Sequence, residues 1–171
     1  LYARKCDIKA IDEKQAEDFF NKNHISGHRS AATYYALIAD GIIQCAASFS
    51  YLNRRYELIR FCNSMNTIVV GGLSRLLKHS NYNNIFTYVD RRYSTNAKSY
   101  VSCGFKVLGV TEPGYDYCKG TNVYSRQAFQ KSKLKNKLVT YDENLTEAQN
   151  MFNNGYRRIW NAGNYKMELI R

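Results

Sequence analysis

A chain of 171 residues can bury a real core as one domain, and a hydrophobic share of 44% excludes global disorder. The formal net charge of +11 points to an anionic partner, nucleic acid first and a membrane surface or acidic ligand behind it; a merely soluble basic surface is the plainer alternative. No apolar run approaches the roughly 20 residues of a transmembrane helix, and the N-terminus carries no signal-peptide pattern, so no membrane partner is expected.

In chain order, "CDIKAIDEKQAEDFFNKNHI" opens with a short alternating segment, after which Asp12 can cap a helix carrying Ala16, Phe19 and Phe20 on one face. Residues 27–31 read as loop. "TYYALIADGIIQCAASFSYL" reads as two strands joined by a tight turn at Asp40-Gly41. "RRYELIRFC" is another strand, and "NTIVVGGLSRLLKHS" passes through Gly71-Gly72 into a helix with Leu73, Leu76 and Leu77 among its apolar residues. "NIFTYVD" is a strand, "STNAKSYVSC" a short helix closed by Gly104, and "FKVLGV" a strand. "TEPGYDYCKG" reads as a turn-rich loop around Pro113-Gly114, and "NVYSRQAF" as one more strand. Beyond the basic run "QKSKLKNKL", the stretch "YDENLTEAQNMFNNGYRRIW" predicts a helix capped by Thr146 or Asn144, and "NAGNYKMELI" a terminal strand. This order is mixed α/β, an antiparallel half feeding a half that needs crossovers.

The five cysteines, Cys6, Cys45, Cys62, Cys103 and Cys118, are odd in number and form no C-x-x-C. They read as reduced thiols of a cytosolic protein rather than a disulfide framework or zinc site. "NHISGH" sets His24 and His28 four apart, but Ser26 and Gly27 make this a loop with no acidic or cysteine partner nearby, so no metal is expected. Fifteen tyrosines strengthen the nucleic-acid reading, since rings interleaved with Arg and Lys can stack on bases, although most should be half-buried strand residues. The cations best placed to grip phosphate are Arg54 and Arg55 beside Tyr51 and Tyr56, Arg91 and Arg92 beside Tyr93, and Lys131, Lys133 and Lys135 of the basic run.

Two stretches can carry chemistry. In "YELIRFCNSMNTIVVGGLSRLL", a strand runs through Gly71-Gly72 into a helix start, whose free N–H groups form an anion site suited to a pyrophosphate. Val70, Gly71, Gly72, Leu73, Ser74 and Arg75 are the expected binding residues; the stretch is neither a P-loop nor a Rossmann fingerprint. In "YVDRRYSTNAKSYVSCGF", Asp90 ends a strand and Tyr100 lies ten residues on, in the next helix. Tyr can serve as general acid and Asp as base or orienting group, while residue types alone favour a capping Asp and a packing Tyr.

The two stretches in this order resemble the GNAT acyltransferase superfamily from about Asp7 to about Phe129, "VVGGLSRLL" standing at the phosphate loop and "NAKSYVSCGFKVLG" at the second signature. The loop departs from the usual Gln/Arg-x-x-Gly-x-Gly/Ala spacing. The resemblance implies a mixed central sheet flanked by helices and splayed beside the strand that holds Arg60. It further implies an acetyl-CoA or other acyl-CoA donor, with Tyr100 as acid toward the departing thiolate. A narrower similarity is to Mom-type DNA modification proteins of Mu-like phages and to the GNAT-like module of phage endonuclease-like proteins. It implies a site of His24, Arg60, Asp90 and Tyr100, a phage-infected bacterial cytoplasm, and an N-terminal nuclease-type domain preceding Leu1. Residues 1–129 are then the core, and 130–171 a basic segment, helix and terminal strand packed on it. The expected function is acyltransferase-like modification of a DNA base; the alternative is a non-catalytic module that targets an endonuclease to DNA.

Overall fold

Asp12 starts the first helix as the sequence predicts: its carboxylate accepts from Gln15 N–H (2.8 Å), and the Gln15 side chain returns to Asp12 N–H (3.2 Å). The computed structural model describes residues 1–171. In order the elements are β1 (Asp7–Ala10), α1 (Glu13–Asn23), β2 (Thr33–Ala39), β3 (Ile42–Leu52), β4 (Arg55–Asn63), α2 (Gly72–Ser80), β5 (Asn84–Asp90), α3 (Lys98–Val101) and β6 (Lys106–Val110). Then follow β7 (Tyr115–Lys119), β8 (Asn122–Ser125), a 3₁₀ turn (Arg126–Phe129), α4 (Lys131–Leu134), α5 (Glu147–Asn153), β9 (Arg157–Trp160) and β10 (Asn164–Ile170). The chain divides into two compact units, one of residues 1–89, 96–109 and 165–171, the other of 90–95 and 110–164.

The larger unit is built on a seven-stranded sheet of order β1-β2-β3-β4-β5-β10-β6. The first four strands are antiparallel neighbours, and the β2–β3 turn uses Asp40 and Gly41, both at positive φ. Strand alternation assigns the two long helices to opposite faces. Tyr34, Ala36 and Ala46 pack with Ala16, Phe19 and Phe20 of α1, whereas Leu37, Cys45, Ala47 and Phe49 pack with Leu73, Leu76 and Leu77 of α2. Between β4 and β5 the ladder is parallel and confined to Tyr56–Ile85 and Glu57–Phe86. Just beyond, Thr87 Oγ1 donates to Leu58 O (2.9 Å), and residues 60–63 of β4 keep only β3 as a partner. The sheet splays at this point, on the strand that carries Arg60.

The smaller unit has a three-stranded sheet, β8-β7-β9, over a core of Tyr117, Phe129, Leu134 and Met151. Three expectations are corrected within it. Residues 115–119, expected as loop, form the central strand, with Tyr117 buried and the backbone paired to β8 on one side and β9 on the other. "NVYSRQAF" is strand only to Ser125, where the Ser125 side chain caps the 3₁₀ turn. The tail helix, capped by Thr146, stops at Asn153; Gly155 at φ 84° breaks it, and "RRIW" becomes β9. The terminal strand, β10, lies inside the large sheet, between β5 and β6.

Candidate functional site

The start of α2 leaves donors open. Its N-cap, Gly71, is left-handed (φ 77°) and has no side chain to cap with. Gly72 N–H reaches Val69 O and Arg75 N–H reaches Gly71 O, both at 3.0 Å, while the N–H groups of Leu73 and Ser74 have no acceptor in the chain. Such groups, at the positive end of a nine-residue helix, favour an anion. A cavity of about 290 Å³ lies here; Val70, Gly71, Ser74 and Arg75 line it, and Arg4 and Lys78 add positive charge.

Four of the six residues expected at this loop therefore line one cavity, and two do not. Leu73 is buried in the core, and Gly72 faces inward: a Cβ there would stand 3.0 Å from Cys45 Sγ. The backbone at Gly72 is bare for packing on the sheet, not for ligand approach. The residues missed from sequence are at the N-terminus. Tyr2 bridges Val70 in parallel, Ala3 N–H donates to Val70 O (3.0 Å), and Arg75 Nη1 donates to Ala3 O. A pairing across nearly 70 residues has no local signal, so Arg4 could not be foreseen as a wall of this cavity.

The predicted catalytic residues separate into groups. His24 and Arg60 come together. Arg60 donates to Gly27 O and Ile59 O, both at 3.0 Å, and its pKa is lowered by burial and by Arg29. Burial first, then the Arg60 charge, lowers the His24 pKa to about 4, so the ring is neutral at pH 7. Its Nδ1 accepts Ser26 N–H (3.0 Å), which assigns the remaining proton to Nε2 and leaves no lone pair for base catalysis. Tyr100 packs against the α2-side core and edge-on to Phe105 (5.8 Å). Burial, then Cys103 and Cys62, pushes its phenol up to about 12. Asp90, in the smaller unit, is gripped by Arg92 (2.7 Å between Oδ2 and Nη2). Burial raises the Asp90 pKa, but the hydrogen bonds and charge of Arg92 outweigh it and hold the carboxyl below its ordinary value.

The predicted phosphate-gripping cations also differ in freedom. Arg55 pairs with Glu168 (3.3 Å) and lies over Phe86; Arg91 donates to Ala162 O (2.9 Å). Lys131 and Lys133 donate to the carbonyls of Glu143 and Gln127, 3.2 and 3.3 Å away, bracing the segment after β8. Arg54, at the tip of the β3–β4 hairpin, and Lys135 are exposed.

A central mixed sheet flanked by helices, splayed beside the strand that leads to a glycine turn and helix, is a GNAT-like fold. The chain superposes on a Bacillus subtilis acetyltransferase solved in complex with CoA, with a TM-score of 0.58 at 14% identity over 98% of this chain and 99% of that one. It also superposes on Ard1 from Thermoplasma volcanium (TM-score 0.52, 11% identity, 97% of each chain). A GNAT family acetyltransferase from Elizabethkingia anophelis with acetyl-CoA bound gives 0.50 at 8% identity over 98% of this chain and 99% of that one. No family model and no curated protein matches the sequence.

Proposed function

We propose that this chain takes an acyl-coenzyme A donor at the start of α2 and transfers the acyl group to an amine on DNA, an exocyclic amine of a base. The observation that carries the donor half is the pair of free N–H groups at Leu73 and Ser74, beside a cavity edged by Arg4, Arg75 and Lys78. This donor set suits a pyrophosphate, and a Cβ built on Gly71 would meet nothing closer than 3.9 Å, so backbone is open to approach there. The cofactor would supply an activated acyl thioester. Residues 60–63 of β4 offer an unpaired strand edge on which an amide-bearing arm can lie as an added strand. Tyr100, at about 12, keeps its proton against a thiol whose ordinary value is about 8.5, so it serves a departing sulfur as hydrogen-bond donor. Two fold neighbours solved with CoA or acetyl-CoA support the donor half.

The acceptor half rests on the net charge of +11 and on cations set over exposed rings, Arg157 at 3.8 Å over Phe152 and Arg92 at 5.3 Å over Tyr93. A base would have to leave its stack to reach a transferase pocket. One observation favours a second reading, a non-catalytic module aiming an attached phage nuclease at DNA: part of the Arg75 donor capacity goes to Ala3 O within the chain.

Calorimetry with coenzyme A decides the donor half. Lys78→Glu and Ser74→Asp, both outside the buried core, should abolish binding and leave the fold intact. Absence of binding by the unmodified protein overturns the donor half and leaves the module reading. For the acceptor half, DNA affinity should fall with salt at a log–log slope of about −0.9 per phosphate neutralised. Lys133→Ala with Lys135→Ala should flatten that slope by up to about two. A shallow slope indifferent to both changes removes DNA from either reading.

A further inference from the structure

The small sheet, β8-β7-β9, ends on an open edge. β9 pairs only with β7, in the register Tyr115–Trp160, Asp116–Ile159, Tyr117–Arg158 and Cys118–Arg157. One step before this ladder, Asn161 N–H donates to Gly114 O (2.9 Å). Hydrogen-bonded and non-hydrogen-bonded pairs alternate along antiparallel strands. Asp116–Ile159 and Cys118–Arg157 are therefore the bonded pairs, and Arg158 and Trp160 turn their backbone N–H and C=O groups away from β7. All four residues of β9 are exposed, Ile159 by 45% and Trp160 by 57%, and these outward groups have no partner in the chain.

An open edge is a template for another strand, and proteins commonly guard it with proline, lysine, a bulge or a covering element. β9 has none of these. Its charges are two arginines, and both are drawn back onto the chain. Arg157 donates to Phe152 O (3.2 Å) and Tyr156 O (2.8 Å), and Arg158 lies 4.3 Å over the Tyr115 ring.

We propose that β9 pairs antiparallel with β9 of a second copy of this chain. Across a two-fold axis, residues with outward backbone groups must meet one another, which leaves two registers that overlap most of the strand. One centres on Arg158 and opposes it to Arg158 of the second copy, a like-charge pair. It also sets Trp160 against Tyr156, whose N–H already donates to Met151 O (3.0 Å). The other register centres on Ile159. Ile159 then meets Ile159, each Arg158 meets Trp160 of the second copy, and every outward N–H and C=O of Arg158 and Trp160 finds a partner. Charge and hydrogen bonding both select this register, in which each guanidinium lies beside an indole. The contact is at the small end of protein interfaces, so association is expected at about 10–100 µM. The proposal does not rest on the acyl-transfer reading.

The test is sedimentation velocity of the purified chain, free of nucleic acid, from about 5 to about 500 µM, read together with tryptophan emission. Trp160 is the sole tryptophan, so emission should move to the blue as the dimer fills. Trp160→Lys opposes two cations in each pair and should weaken association at least about tenfold. Trp160→Glu removes the same ring but opposes unlike charges, so it should associate at least about tenfold more tightly than Trp160→Lys. Both changes fall on an exposed side chain and leave the ladder to β7 intact. The same two changes at Val139, 95% exposed and outside β9, control for net charge and should not differ from each other. A monomer at every concentration overturns the proposal. So does association in which Trp160→Lys and Trp160→Glu are alike, in which the Val139 pair differs as much as the Trp160 pair, or in which the emission does not move.

Discussion

Gly72 lies directly over Cys45: a Cβ on the glycine would stand 3.0 Å from the cysteine sulfur and 3.4 Å from the Val69 side chain. Cys45 is itself fully buried, with its thiol pushed up to about 12 by burial and by Cys6 and Cys62, so it acts as a small apolar group. Gly72→Ala should therefore cost about 1–3 kcal/mol by overpacking. Cys45→Ala makes room, so the double variant should be less destabilised than the sum of the single ones by at least about 0.5 kcal/mol. Urea unfolding of the four proteins measures the coupling; simple additivity would mean that the two residues do not meet.

Tyr100→Phe separates chemistry from packing. The phenol forms no hydrogen bond within the chain beyond its ring contacts, so the variant should unfold within about 0.5 kcal/mol of the unmodified protein. If the hydroxyl serves the leaving sulfur, transfer should slow by roughly 10²-fold with donor affinity unchanged. Because the phenol stays protonated up to about 12, its ionisation should not limit the rate at any pH from 6 to 10. Single-turnover rates across that range test both points, and undiminished transfer in the variant makes Tyr100 a packing residue only.

His24 predicts a pH dependence of stability. Its folded pKa, about 4, is below its ordinary 6.5, so the unfolded chain takes up this proton first as pH falls. The stability contributed by the neutral ring is complete above about 6.5 and is lost as pH falls toward about 4. His24→Asn keeps an acceptor for Ser26 N–H and removes the titration, so its stability should change less over that window. Parallel profiles for the two proteins from pH 4 to 7 would show that burial and Arg60 do not perturb His24.

What the residues determined by themselves was local. Alternation and turn residues set the β2–β3 hairpin, Asp12 and Thr146 start their helices through capping boxes, and Gly71 marks the start of α2. These depend on neighbours within a few positions, so the antiparallel half and the glycine turn into α2 could be read directly. Tertiary structure decided the rest, because it depends on which distant backbone groups find each other. The parallel pairing of Tyr2 with Val70 brings Arg4 to the cavity at α2, and the insertion of β10 between β5 and β6 takes the chain's end into the large sheet. The same holds for side chains. Nothing near Gly72 in sequence tells that Cys45 lies beneath it. Tyr56 and Tyr82 are 26 positions apart in sequence, and only the packing of the α2–β5 turn against the hairpin makes them one stacked surface.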